Sequence, residues 1–203
     1  MTIYAPLQLS AYVEAQASQV GTVAYLTERR HSRLKEMWCA AQFGQGYSLR
    51  YETCSVEIEE VDEQREYDFH LHALGRRLPF QSAEVLSEGR KRGDEYRSQS
   101  VEKVAEILNA SQSLDEQVAI SRIHEELEAK VRKRYAGASA LHILLYINLP
   151  VQALPWFELQ IGLQSTAQTF ASVWLLTQGF FSCVHGGDFW QPTDGWLQSE
   201  NAG

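Results

Sequence analysis

Several common routes to function are missing from this chain of 203 residues. It contains neither G-x-G-x-x-G nor G-x-x-x-x-G-K-[ST], so the glycine-rich loops that cradle nucleotide phosphates are absent. Its three cysteines, Cys39, Cys54 and Cys183, lie far apart with no C-x-x-C. An odd, scattered set fits reduced thiols, not a disulfide framework or a zinc knuckle. The apolar stretches Leu141–Leu145 and Val173–Leu176 are far too short to span a bilayer. MTIYAPLQLSAY at the start has no basic segment leading into an apolar one, so no secretory signal is expected. The chain is therefore expected to be cytoplasmic, with no membrane partner. No internal repeat or low-complexity segment is evident.

Positive charge is also scarce. Lys and Arg number 18 against 26 Asp and Glu, a formal net charge of −8. That balance argues against a non-specific nucleic-acid coat, which gains affinity by neutralising phosphates. It leaves room for an enzyme whose basic groups are concentrated beside a site. Two concentrations exist: Arg90-Lys91-Arg92, and Lys130 to Arg134.

With 44% hydrophobic residues, the length suits one compact domain with a full core. Residues 1–42 read as an N-terminal helical segment, 43–185 as the core and 186–203 as a tail. Leu34, Met37, Trp38 and Ala41 form a helical stripe, and Gly44 and Gly46 read as the helix stop, with Gly21 as an earlier break. Tyr47–Tyr51 and Cys54–Ile58 read as strands, and the acidic run from Glu57 to Glu66 as an exposed connection. Phe69, Leu71 and Ala73 alternate with Asp68, His70 and His72 at period two, the mark of a strand. Gly75-Arg76-Arg77 makes a turn into a strand over 78–86.

A helix is expected from Ser100, and another from the capping box Ser113-x-x-Glu116 to about Tyr135. Leu141–Ile147 reads as a central strand covered on both faces. A helix over 157–171 and a hairpin of Val173–Thr177 with Phe180–Val184 follow. The aromatic residues of the last third suit a core or a homodimer surface, with core favoured. The order predicts an α/β fold, a mixed central sheet flanked by helices.

The chemistry concentrates between Tyr67 and Tyr96. Asp68 sits on one strand, and Phe80-Gln81 runs into Glu84-Val85-Leu86-Ser87-Glu88-Gly89-Arg90-Lys91 and then Asp94-Glu95. This ordering resembles the restriction-endonuclease-like (PD-(D/E)XK) superfamily, and most narrowly an uncharacterised bacterial family of endonuclease type. Lys35-Glu36-x-Trp38 on the first helix is similar too. The resemblance in topology spans residues 30–180; the specific motif covers fewer than twenty.

The resemblance implies a restriction-endonuclease-like sandwich and a metal-dependent nuclease cleaving nucleic-acid phosphodiesters. Asp68 and Glu84 would hold Mg²⁺ or Mn²⁺, a hard cation that takes oxygen ligands and activates water. Gln81 would assist, standing where the family has an acid, and Ala83 stands where the family's lysine belongs. Lys91 would then supply the catalytic cation, and Arg90, Arg92 and Lys130 would contact phosphate. The alternative it leaves is an inactive nuclease-fold module that binds protein or nucleic acid. Asp68 and Glu84 also read as strand-edge carboxylates, Arg90–Arg92 as a solvated loop, and Lys130–Arg134 as charge favourable at a helix end. Strand parity puts Gln81 and Glu84 on opposite faces unless a bulge intervenes. A weaker grouping, Asp68-x-His70-x-His72, offers ligands for Zn²⁺.

Overall fold

The computed structural model describes residues 1–21, 24–25, 28, 31–58, 67–87, 114–151 and 153–199. Eight strands form one mixed sheet in strictly sequential order. They are β1 (Thr2–Tyr4), β2 (Ser55–Ile58), β3 (Phe69–Ala73), β4 (Arg76–Val85), β5 (His142–Ile147), β6 (Ser172–Thr177), β7 (Phe180–His185) and β8 (Leu197–Gln198). The first four and the last three run antiparallel to their neighbours, whereas β4–β5 and β5–β6 are parallel. Parallel neighbours need crossovers, and helices supply them. The described helices are α1 (Pro6–Val20), α2 (Ser32–Arg50), α3 (Glu116–Arg132) and α4 (Trp156–Ala167).

Alternation along the strands divides the core in two. Phe69, Leu71, Leu78, Phe80, Leu144 and Trp174 face α1 and α2, which contribute Leu9, Val13, Phe43 and Tyr47. Ile143, Leu145, Ile147, Val173 and Leu175 face the other way, onto Ile123 and Leu127 of α3 and Leu159 and Leu163 of α4. The β5 run HILLYI is thus apolar on both sides because both sides are covered. The mixed α/β sheet flanked by helices is as expected.

Local chemistry accounts for several element ends. Gly21, at φ 82, ends α1. Asp115 caps α3, its Oδ1 accepting from Gln117 N at 2.9 Å and from Val118 N at 3.4 Å. The expected capping role of Ser113, and the expected helix from Ser100, lie outside the described residues. Leu74 and Gly75, both at positive φ, make the two-residue turn between β3 and β4.

Gly44 and Gly46 do not stop a helix. They lie inside α2, whose last turn takes in Tyr47, so the expected strand at 47–51 is a correction as well. A Cβ on Gly46 would stand 2.7 Å from the Phe181 ring, and one on Gly44 would stand 3.0 Å from Pro6. These glycines let the helix press against its neighbours. Glu57 is the other reversal. Expected in an exposed acidic run, it is buried on β2, where Arg77 donates to it at 2.6 and 2.9 Å and His72 Nε2 lies 2.6 Å away.

Candidate functional site

The sheet carries a notch. The β3–β4 ladder ends at the Phe69–Phe80 pair, while β4 continues to Val85. Among the described residues, 81–85 therefore have a strand partner only on the β5 side, where the register is unbroken from Phe80–His142 to Val85–Ile147. Asp68 fills the first position of the missing ladder. Its N–H donates to Phe80 O at 2.7 Å. Its Oδ2 accepts from Ser82 N at 2.7 Å, Ser82 Oγ at 2.6 Å and Gln81 Nε2 at 2.8 Å. A carboxylate thus satisfies an edge N–H that would otherwise have no strand to pair with.

The notch opens into a cleft of about 530 Å³ beneath α1 and α2. All of Gln81, Ser82, Ala83 and Glu84 line it. No bulge is needed to bring both faces of β4 to one site, since at an open strand edge both faces are reachable. Glu36 enters from α2, held by Arg33, whose Nη1 donates to Glu36 Oε2 at 2.9 Å and to Asp68 O at 2.8 Å. Trp38, one turn-face away, meets the Tyr146 ring edge-on at 5.1 Å between centroids. Glu84 accepts from Asn148 Nδ2 at 2.8 Å. From the opposite face Lys130, 5% exposed, donates to Ser82 O at 3.2 Å.

Burial raises the Glu36 pKa, and the Asp68 charge raises it further against the opposing pull of Arg33. The Lys130 ammonium moves the other way. Burial lowers its pKa first, the Lys133 charge adds to this, and Asp68, Glu126 and Glu36 partly restore it. An acid and a base displaced toward one another, on either side of a notch, are the recurring feature of sites that move protons.

Of the residues expected from sequence, Asp68, Gln81 and Glu84 line the cleft and Lys130 stands behind it. Arg90, Lys91 and Arg92 lie outside the described residues. The roles given to Asp68 and Glu84 as a shared Mg²⁺ pair find no support in their partners. Asp68 Oδ2 is occupied by three donors and Glu84 is tied to an amide. Among the described residues no group of three or more His, Cys, Asp and Glu side chains could hold a metal ion. That covers Asp68-x-His70-x-His72 too, since His72 turns to Glu57. His142 is buried, with Nδ1 2.8 Å from Ser172 Oγ, and desolvation lowers its pKa to about 4. Arg33, Ser82, Tyr146 and Asn148 were not legible beforehand; Glu36 and Trp38 were visible only in the K-E-x-W run of the first helix.

Comparison with known proteins gives a fold neighbour and no family. No family model matches the chain, and no curated protein matches it. Among solved structures it is similar to a protein of unknown function from Pseudomonas aeruginosa strain PAO1, described as belonging to the monooxygenase superfamily. The TM-score is 0.53 at 13% identity, over 95% of this chain and 97% of that one. The likeness is one of fold and runs nearly end to end. It corrects the expected membership of the restriction-endonuclease-like superfamily. The nuclease activity, its inactive variant and the endonuclease and hydrolase assignments that hung on that membership go with it. The departures at Gln81 and Ala83 are the sequence counterpart of this correction. No helix among the described residues is long and apolar enough to cross a membrane.

Proposed function

We propose that this chain binds a small organic molecule in the notch cleft and moves a proton on it, with Glu36 as the proton carrier. One observation carries the reading: a half-buried carboxyl of raised pKa faces a cleft with a buried lysine of lowered pKa behind it. A carboxyl is useful for proton transfer when its pKa approaches the working pH, and burial beside another carboxylate is how proteins bring it there. Asp68 serves as a fixed charge: its three donors hold it in place, and it keeps Glu36 protonated to a higher pH. Arg33 orients Glu36. Lys130 fixes the Ser82 carbonyl, and so the strand edge to which Asp68 is bonded.

The cleft's other lining sets the kind of molecule. Val13, Ala17, Trp38, Ala83 and Tyr146 add apolar and aromatic lining among the carboxylates, so an amphipathic molecule with a polar end at Glu36 fits it. The superfamily description of the structural neighbour is carried over only as a reason to assay small organic molecules first.

The test is a ¹³C NMR titration of the glutamate side-chain carboxyls, with Glu36 assigned by Glu36→Gln. Glu36 is expected to titrate above the ordinary glutamate range, and the Asp68→Asn variant is expected to bring it back down. A Glu36 that titrates with the exposed glutamates in the native protein would end the proton-transfer reading.

A further inference from the structure

We infer that the chain has a second binding site, sharing Tyr146 with the notch cleft but otherwise lined by different residues, that takes a small uncharged planar ring. A pocket of about 480 Å³ lies at the carboxyl ends of the parallel strands β5 and β6. That end of a parallel sheet is where open α/β folds place their ligands. The pocket is bounded by Ile147 and Asn148 as β5 ends, by the following loop, and by Thr177, Gln178 and Phe180 of the β6–β7 hairpin. Trp196 of the tail closes it.

Its chemistry contrasts with the notch. Five residues lining the notch are charged: Glu14, Lys35, Glu36, Asp68 and Glu84. Among the described residues lining the second pocket none is charged, in a chain of which 22% is Asp, Glu, Lys or Arg. None of these side chains would offset the hydration an ion loses there, so a neutral occupant fits best. Planarity follows from the walls. Trp196 is held in place by its Nε1–H donating to Leu154 O at 3.0 Å, and its ring meets Trp156 edge-on at 5.9 Å between centroids. Phe180 is 42% exposed in a hairpin whose other apolar side chains are buried. Two aromatic surfaces at an open pocket are platforms for a stacked ring.

Amides at the rim set the ring's edge groups. Asn148 spends Nδ2 on Glu84 at 2.8 Å, which leaves its Oδ1 to accept. Gln178 carries one amide acceptor and two amide donors. The occupant therefore bears both a donor and an acceptor, as a carboxamide or an amino-heterocycle does. The Glu84–Asn148 bond also joins this pocket to the notch, because Glu84 lines the one and Asn148 the other.

The five tryptophan indole N–H signals of the full chain report the test, with nicotinamide as a neutral probe and nicotinate as its charged counterpart. Trp196 and Trp38 are assigned by Trp196→Phe and Trp38→Phe. Nicotinamide is expected to shift the Trp196 signal saturably, with a Kd on the order of 1–10 mM as befits a fragment. Nicotinate is expected to bind at least about tenfold more weakly. Phe180→Ala, at an exposed position, is expected to weaken nicotinamide about fivefold or more. Equal affinity for the two probes, a response at Trp38 in place of Trp196, or unchanged affinity in Phe180→Ala overturns the second site. None of these results bears on the titration of Glu36, so the two proposals fail separately.

Discussion

Replacing Glu57 by glutamine removes a buried carboxylate on which Arg77 and His72 converge, and the structure sets the size of the effect. Glu57 is 1% exposed, and hydrogen bonding from Arg77, working against the burial penalty with help from His72, holds its pKa at about 2. A carboxyl lowered that far from 4.5 favours the folded state by about 3 kcal/mol at neutral pH. Arg77 is 43% exposed and partly screened by water, which brings the expected loss nearer 2 kcal/mol. For a chain of this length that is a fall in Tm of about 4–8 °C. The sign with pH is fixed. A depressed carboxyl stabilises fully above its unfolded value of 4.5, and the contribution drains away as pH falls through about 2. Urea unfolding of native protein and Glu57→Gln at pH 7, 4 and 2.5 measures this directly. The gap between them should be widest at pH 7 and close toward pH 2. A gap that stays constant with pH, or one below about 0.5 kcal/mol at pH 7, would refute the burial argument.

Glu36→Gln should do the reverse. A raised carboxyl pKa disfavours the folded state above the unfolded value and is neutral below it. The variant should therefore gain stability at pH 7–8 and none below pH 4, read by thermal unfolding across that range. Gly46→Ala, which drives a Cβ into Phe181, should lose about 1–3 kcal/mol in denaturant unfolding despite alanine's better helix propensity. Added Mn²⁺ or Mg²⁺ should leave the Tm unchanged, and a rise abolished by Asp68→Asn would restore the cation reading for Asp68 and Glu84.

How far the fold could be read ahead depended on whether the controlling contact was local. The hairpins β3–β4 and β6–β7 and the buried strand β5 were legible because period, turn residues and run length are properties of a few adjacent residues. Gly44 and Gly46 were misread because the rule that a glycine ends a helix is local, whereas Pro6 and Phe181, distant in sequence, decide these positions. The three-residue β1 left no period to detect. Glu57 was misread for a similar reason: only the register of β2, β3 and β4, which pairs Glu57 with His70 and His72 with Arg77, brings Arg77 and His72 within its reach. In the site, Asp68, Gln81 and Glu84, all of which line the cleft, were named through the resemblance. Ser82 and Asn148 could not be, since what matters is where β3 stops and β4 does not. The family resemblance named three residues that line the cleft, although the family itself is corrected.

The strictly sequential strand order also bears on how the chain leaves the ribosome. Each strand's partner is the one synthesised just before it, so the sheet can grow from one side as the polypeptide emerges, without waiting for a distant segment. The two rims of that growing sheet finish as strands of only three and two residues, too short to recruit a neighbouring molecule. Vectorial assembly and blunt rims together give a wide β-sheet protein a route past the aggregation to which such sheets are prone.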